Sequence, residues 1–366
     1  MALPLFQLFK KLHTMNKIIK ISILLAFASV TGVAAAQSSV TIYGRADAAL
    51  GREVDSNIFR EGQGEGSLFG IKGTEDLGNS LKTFFDFQAS ITLNNGVQTG
   101  GVGVNGPAGL FDSKSIVGIG NQYGYIDAGR KLTPAWVVSI MADPFGTYSY
   151  VTRNNAGLHA NHLFTSARMQ NAVSLNWTQS GYFASLQAGD DTRTAVWAQL
   201  PVLIAPTVSP ILLTGQRPLS MATGYNQGPT YLAIGYEKSP YNTSFVGVTG
   251  VYDFGVAKVS LGVESGWHRR VQDDVKDVKA TNGILGLTIP MGPGLILASY
   301  DVLNTKILNA NGGYDSYKTY PWISRKWGAG YQYYLSKYSF LYTDVVYDKE
   351  APLGRFGYDL GISHHF

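Results

Sequence analysis

The chain has 366 residues with 29 basic and 25 acidic side chains, and four of the basic ones, Lys10, Lys11, Lys17 and Lys20, fall in a segment that reads as an export signal. Without them 25 basic residues stand against 25 acidic, so the rest of the chain is formally neutral and gives no argument for a nucleic-acid partner. The absence of cysteine excludes a disulfide scaffold and a thiolate metal site together.

Residues 15–37 combine Lys17 and Lys20, an apolar run over 21–33, and Ala34, Ala35 and Ala36 as a small-residue cleavage site. That is the pattern of a secretory signal peptide, and the run is too short to span a membrane. Residues 1–36 are therefore expected to be the signal and 37–366 a single domain. Translation is expected to begin at Met15, residues 1–14 otherwise extending the basic end of the signal. After residue 36 the chain keeps 42 of its 43 glycines and 42 aromatic residues, while charged residues are only 15%. Soluble domains average about 25% charged and about 7% Gly. No later stretch holds 18 consecutive apolar residues. An outer-membrane β-barrel and a secreted β-rich protein are the two classes left.

Periodicity separates them. The first predicted strand covers 39–50, with Val40, Ile42 and Ala46 on one face and Tyr43, Arg45 and Asp47 on the other. Over 81–91, Leu81, Phe85, Phe87 and Ile91 alternate with Lys82, Asp86, Gln88 and Ser90. Ala257, Val259, Leu261 and Val263 alternate with Lys258, Ser260, Gly262 and Glu264, and the pattern returns at 326–335. At the C-terminus Tyr358, Leu360, Ile362, His364 and Phe366 oppose Asp359, Gly361, Ser363 and His365. A period of two means strands. Aromatic residues gather near strand ends, as in the girdles of a lipid-facing barrel rather than the core of a soluble sandwich.

Connectors alternate in length. Seven are short, at 75–80, 121–124, 180–181, 226–229, 253–255, 291–294 and 336–337. Eight lie between them: 51–66, 92–111, 132–165, 191–221, a brief 239–242, 268–280, 304–324 and 348–354. These fifteen connectors predict an all-β, antiparallel, up-and-down transmembrane barrel of about 16 strands, with strands of about 9–11 residues. Short turns belong on the periplasmic side and long loops outside. At that strand number the lumen holds water, which makes a channel the expected function.

The segment Ser39-Val-Thr-Ile-Tyr-Gly-Arg-Ala-Asp47 resembles the opening strand of the general diffusion porins of β-proteobacteria and Neisseria. Gly66-Ser-Leu-Phe-Gly-Ile-Lys-Gly-Thr-Glu-Asp-Leu-Gly78 with Leu81-Lys82 is similar to their second strand, first turn and third strand. Tyr125-Ile-Asp-Ala-Gly-Arg-Lys-Leu-Thr-Pro134 and Asp143-Pro-Phe-Gly146 resemble strand five and the third loop, and Gly361-Ile-Ser-His-His-Phe366 the last strand. The resemblance implies a homotrimer of outer-membrane barrels in contact with lipid and lipopolysaccharide. Each barrel would have a third loop folded inward and pass ions and small hydrophilic solutes by diffusion. Two departures stand out. Leu68 occupies a position where such porins commonly carry Arg, and the apolar, proline-broken stretch 200–213 lies in an unusually large loop at 191–221. That loop could instead build the binding site of a substrate-specific channel.

Residues 101–106 satisfy a dinucleotide-type glycine spacing but Pro107 and a strand follow, not a helix N-terminus. His159 and His162 lack a third ligand, and His364 and His365 point to opposite faces of a strand, so no metal or other cofactor is expected. No nucleophile elbow or triad appears, so no enzyme activity is expected. The candidate pore-lining residues are Arg45, Asp47, Lys72, Lys82 and Asp86 from the first three strands, Arg130 and Arg168 flanking the third loop, and Asp143 within it. Basic groups exceed acidic ones among these, which predicts a weak anion preference. Phe366, ending an unbroken alternation, is the candidate assembly signal.

Overall fold

The computed structural model describes residues 38–97, 109–146, 167–190, 217–239, 242–269, 275–316, 318 and 323–366. Within them run sixteen long strands. The first eight are β1 (Ser39–Arg52), β2 (Ser67–Gly78), β3 (Leu81–Ile91), β4 (Lys114–Asn121), β5 (Gly124–Leu132), β6 (Arg168–Gln179), β7 (Tyr182–Gly189) and β8 (Leu219–Gln227). The rest are β9 (Thr230–Lys238), β10 (Thr243–Asp253), β11 (Lys258–Arg269), β12 (Lys276–Met291), β13 (Gly294–Leu308), β14 (Ser324–Tyr334), β15 (Ser339–Asp348) and β16 (Phe356–His365). Each pairs antiparallel with the next, and β16 pairs back onto β1 from Arg45↔His365 to Arg52↔Tyr358. The sheet is a closed barrel without edges. Two three-residue strands, Arg60–Gly62 and Tyr314–Ser316, extend it against β1 and β13.

Burial runs opposite to that of a soluble protein. Outward side chains such as Val40 (68% exposed), Ile42 (61%), Leu261 (54%) and Leu360 (65%) are bare, whereas inward Ser220, Glu237, Asp301 and Asp359 are buried. Such a wall is stable only if hydrocarbon covers its outside, because every exposed apolar Å² costs about 25 cal/mol in water. On the outer wall at the loop end, Tyr300, Trp327, Tyr347 and Phe356 form one registered row. Tyr182 and Tyr225 are paired at the turn end. These are the aromatic belts that the strand-end clustering predicts.

The predicted turns are all present: four are tighter than expected, as where β2 continues to Gly78 and leaves only Asn79 and Ser80 before β3, one is unchanged, and two are longer, at 254–257 and 335–338. The loop side needs a larger correction. β12 and β13 have 16 and 15 residues rather than 9–11, and β11 stays paired to β12 through Arg269↔Lys276. The connector expected at 268–280 therefore shrinks to 270–275, and the one at 304–324 begins only after Leu308. Lys276, Asp277 and Lys279 read as loop residues because charges are excluded from hydrocarbon. Beyond the membrane, however, a strand can carry charge on either face, and bilayer thickness limits only the part within lipid.

Candidate pore constriction

The third loop begins with an element that the sequence reading missed. Thr133 caps helix α1 (Pro134–Ile140), accepting a hydrogen bond from the Trp136 amide, with Pro134 in the first turn where its missing N–H costs nothing. The Thr133 hydroxyl also donates to Glu237 on β9, and Ser220 on β8 accepts from the Ala135 amide at 3.1 Å. The segment then crosses the inner wall: Ser260 on β11 donates to the Ala142 carbonyl at 2.6 Å. Glycines make room for this path. A Cβ on Gly235 would lie 2.8 Å from the Ala135 Cα, one on Gly262 2.6 Å from the Ala142 Cβ, and one on Gly286 2.6 Å from the Pro144 Cδ. On Gly330 of β14 a Cβ would lie 2.9 Å from the Phe145 ring. The first part of the loop thus folds inward and lies on the wall from β8 to β14.

Opposite that wall sit the arginines. Arg45 pairs with Glu65 at 2.6 Å and donates to the Glu65 and Gly66 carbonyls, its side chain 23% exposed. Arg168 donates to the Ser113 carbonyl at 2.9 Å and to its hydroxyl at 3.1 Å, and Arg130 and Arg45 lie within electrostatic reach of it. Strict alternation from Asp127 would send Arg130 outward. A bulge at Gly129 (φ 131°) breaks the alternation, and the Arg130 Nε reaches the Asp112 carbonyl beside Arg168. Only Gly fits there, since a Cβ would meet the Ser115 carbonyl at 2.0 Å.

The other predicted residues separate. Lys72 lies exposed on the inner wall with its Nζ 4.9 Å from the Tyr43 ring centre. Asp86 accepts from Tyr43 and pairs with Lys114 at 2.9 Å. Lys82 is next to the β2–β3 turn, paired in register with Asp76, and therefore belongs to the turn-side mouth, away from the arginines. Asp47 faces inward as expected but is 0% exposed, accepting from Tyr342 and the Gly64 amide, so no carboxylate surface is left to line the pore. Asp143 is likewise buried at 6%, accepting from the Phe145 amide and lying near Asp301 and Lys326. Leu68 is the register partner of Arg45.

Three interior groups went unseen in the sequence. Lys114 stood just beyond a connector whose end was placed at 111. Lys131 pairs with Asp127 within β5, which follows from their spacing only once the bulge is known. Glu65 sits between Arg45 and His365, a contact across 300 residues that no local pattern encodes. His364 and His365 do take opposite faces, one bonded to Ser339 and the other to Glu65. The histidines at 159 and 162, the glycine motif at 101–106 and the apolar stretch at 200–213 lie outside the described residues.

Comparison with known proteins gives a family, two relatives and two similar folds. A family model described as Gram-negative porin matches residues 22–351. An outer membrane porin protein of Bordetella pertussis is 25% identical over 93% of this chain and 97% of its own. Outer membrane porin protein 32 of Delftia acidovorans is 26% identical, covering 92% and 91%. In fold the chain is similar to an anion-selective porin from Comamonas acidovorans, with TM-score 0.66, 22% identity, and coverage of 90% of this chain and 100% of that one. A loop-deleted OmpT of Vibrio cholerae superposes with TM-score 0.67 at 12% identity, covering 90% and 99%.

Proposed function

The chain belongs to the Gram-negative porin family and is an outer-membrane channel, and from that premise we propose a homotrimeric diffusion pore with a weak anion preference, narrowed at Arg45, Arg130 and Arg168 against the third loop. Residues 1–36 are its signal, removed after Ala36. One observation carries the anion preference. Among the described residues twelve carboxylates are buried, including Asp47, Asp127, Asp143, Glu237, Glu264 and Asp301, whereas Lys326 is the one lysine or arginine buried with them. The neutral overall count therefore hides an asymmetry: acids stabilise the wall and seat the loop, and Arg45, Lys72 and Lys114 keep surface towards the water. The description of the Comamonas acidovorans porin as anion-selective agrees with this reading.

Screening limits the effect, because a lining charge acts over about 10 Å at 0.1 M salt and about 3 Å at 1 M. The zero-current potential across a planar bilayer under a KCl gradient is expected to report chloride preference in dilute salt and little in concentrated salt. Arg45→Ser and Arg168→Ser should each reduce it. A cation-selective wild type, or a potential that neither substitution moves, would overturn the assignment.

A further inference from the structure

Where the third loop crosses the inner wall it leaves a hollow on its turn side. Ser260, Gly286 and Gly330 lie against the loop at Ala142, Pro144 and Phe145. Two residues nearer the turns on the same three strands, about 7 Å further along, Lys258, Thr288 and Gln332 line a cavity of about 300 Å³. Pro144 covers it and, among the described residues, is the only part of the loop that lines it. Leu297 and Phe340, both buried, form its depth, and Leu295 and Tyr334 its sides. The Tyr334 and Phe340 ring centres are 5.4 Å apart at 41°. Apolar and aromatic surface belongs on the outside of this wall, since in a water-filled lumen it costs about 25 cal/mol per Å². The loop does not need it, being seated two residues higher.

The polar groups around this apolar floor are of one kind. Lys258 and Lys337 both line the cavity, and neither is ion-paired among the described residues. The Lys337 Nζ lies 5.3 Å from the Tyr338 ring centre, a contact that positions a cation without neutralising it. Gln332 accepts from the Tyr334 hydroxyl through Oε1 at 3.1 Å, and its Nε2 has no partner among the described residues. No carboxylate lines the cavity among the described residues. Two acids nearby are engaged elsewhere. Asp253, the register partner of Lys258, accepts from the Gly255 amide at 2.8 Å, and Glu65 pairs with Arg45 and with His365, which closes the far side of the cavity. Two amines and an amide donor thus surround an apolar slot that holds no acid of its own.

We propose that this hollow is a subsite for a small aromatic carboxylate on the turn-side half of the pore. The ring occupies the slot between Pro144 and the Tyr334–Phe340 pair, above Leu297, and Lys258, Lys337 and the Gln332 amide supply the donors for the carboxylate. The site rests on the channel reading, in which solutes reach the lumen. Ring contacts add to plain burial when faces and edges meet at such angles, and bonds from an amine to a carboxylate are the strong class of hydrogen bond. Size selects within the class: ligand pockets run from about 300 to 1,000 Å³, so this one has room for a single ring with its carboxylate and not for a larger fused body.

The test uses the full-length purified porin with three probes: benzoate, which carries ring and charge, benzamide, which keeps the ring, and acetate, which keeps the charge. Binding to the detergent-solubilised protein is read by saturation-transfer NMR, and block of the open channel by single-channel current in a planar bilayer. Wild type should bind benzoate saturably and lose current in parallel, and should bind benzamide and acetate at least about tenfold more weakly. K258Q/K337Q and Y334S, each checked for the folded band on unheated gels, should weaken benzoate binding by a similar factor, the loss of roughly one charge-assisted or one aromatic contact. K279Q, nine residues up β12 from Thr288 and so about 30 Å away, should bind benzoate as wild type does. Conductance in KCl alone tests the porin reading separately. In a conducting channel, no saturable binding of benzoate, equal binding of benzamide or acetate, or undiminished affinity in both variants would each overturn the proposal.

Discussion

Arg45 and Leu68 sit side by side on the inner wall as register partners. Glu65, folded back beneath Arg45, takes up part of its charge, and Leu68 contributes no charge of its own. The net field at this point is thus weaker than a count of arginines suggests. Placing a guanidinium at 68 adds a cation within a few ångströms of Arg45 in partly screened surroundings, where unit charges interact by about 4 kcal/mol at an effective dielectric of 20. Leu68→Arg should raise the chloride preference measured as zero-current potential in 0.1 M KCl, and the increment should shrink in 1 M KCl. An unchanged potential would mean that residue 68 does not face the conducting path.

The third loop is seated by what its wall lacks. Gly235, Gly262, Gly286 and Gly330 come from four strands, yet they line one track under residues 135–145. Gly262→Val puts its Cβ 2.6 Å from that of Ala142 and 3.0 Å from Ile284, its register partner in the wall, so the loop must move. Overpacking of this kind costs about 1–3 kcal/mol. The substituted channel should show a higher single-channel conductance and weaker dependence of current on Arg168, whereas Gly255→Ala, in a turn with no atom within 4 Å, should not change conductance. The glycines show what could be read in advance. Their place on the inward face was legible from alternation, as Gly262 opposite Leu261 and Val263 shows, because a period of two acts within one strand. What they face was not, since Ala142 is 120 residues away and the seven-residue helix that leads to it has too little amphipathic length to register as a pattern. The same limit explains Arg130: alternation assigned β5 correctly to Asp127, and a single glycine at φ 131° then turned Arg130 inward beside Lys131. The barrel was legible because sixteen strands repeat one rule; the constriction was not, because it is made where the rule is broken.

Closure of the whole molecule depends on a seam between its two ends. Phe366 and Gly44 exchange backbone hydrogen bonds at 2.9 and 3.0 Å, and the Phe366 ring covers Gly44, whose missing Cβ would lie 2.5 Å from it. Gly44 shares the outer wall with Ile42 and Ala46, so the ring closes the seam from the lipid side. Deleting Phe366 leaves an N–H and a carbonyl of Gly44 facing hydrocarbon, each a loss of several kcal/mol. Phe366→Ser keeps the backbone pair and removes only the ring, a cost of about 3–5 kcal/mol for a large aromatic at a packed site and less at one that is 55% exposed. The two changes should therefore rank: the deletion should abolish the folded, detergent-resistant form on unheated gels, and Phe366→Ser should leave a reduced fraction of it. In wild type that form should be a trimer that converts to a slower-migrating monomer on boiling, because a closed ladder has no frayed edge from which detergent can unzip it. Light scattering on the unheated protein measures the mass directly. A monomer mass would remove the trimer, and equal recovery of both Phe366 variants would show that the seam closes without the C-terminal residue.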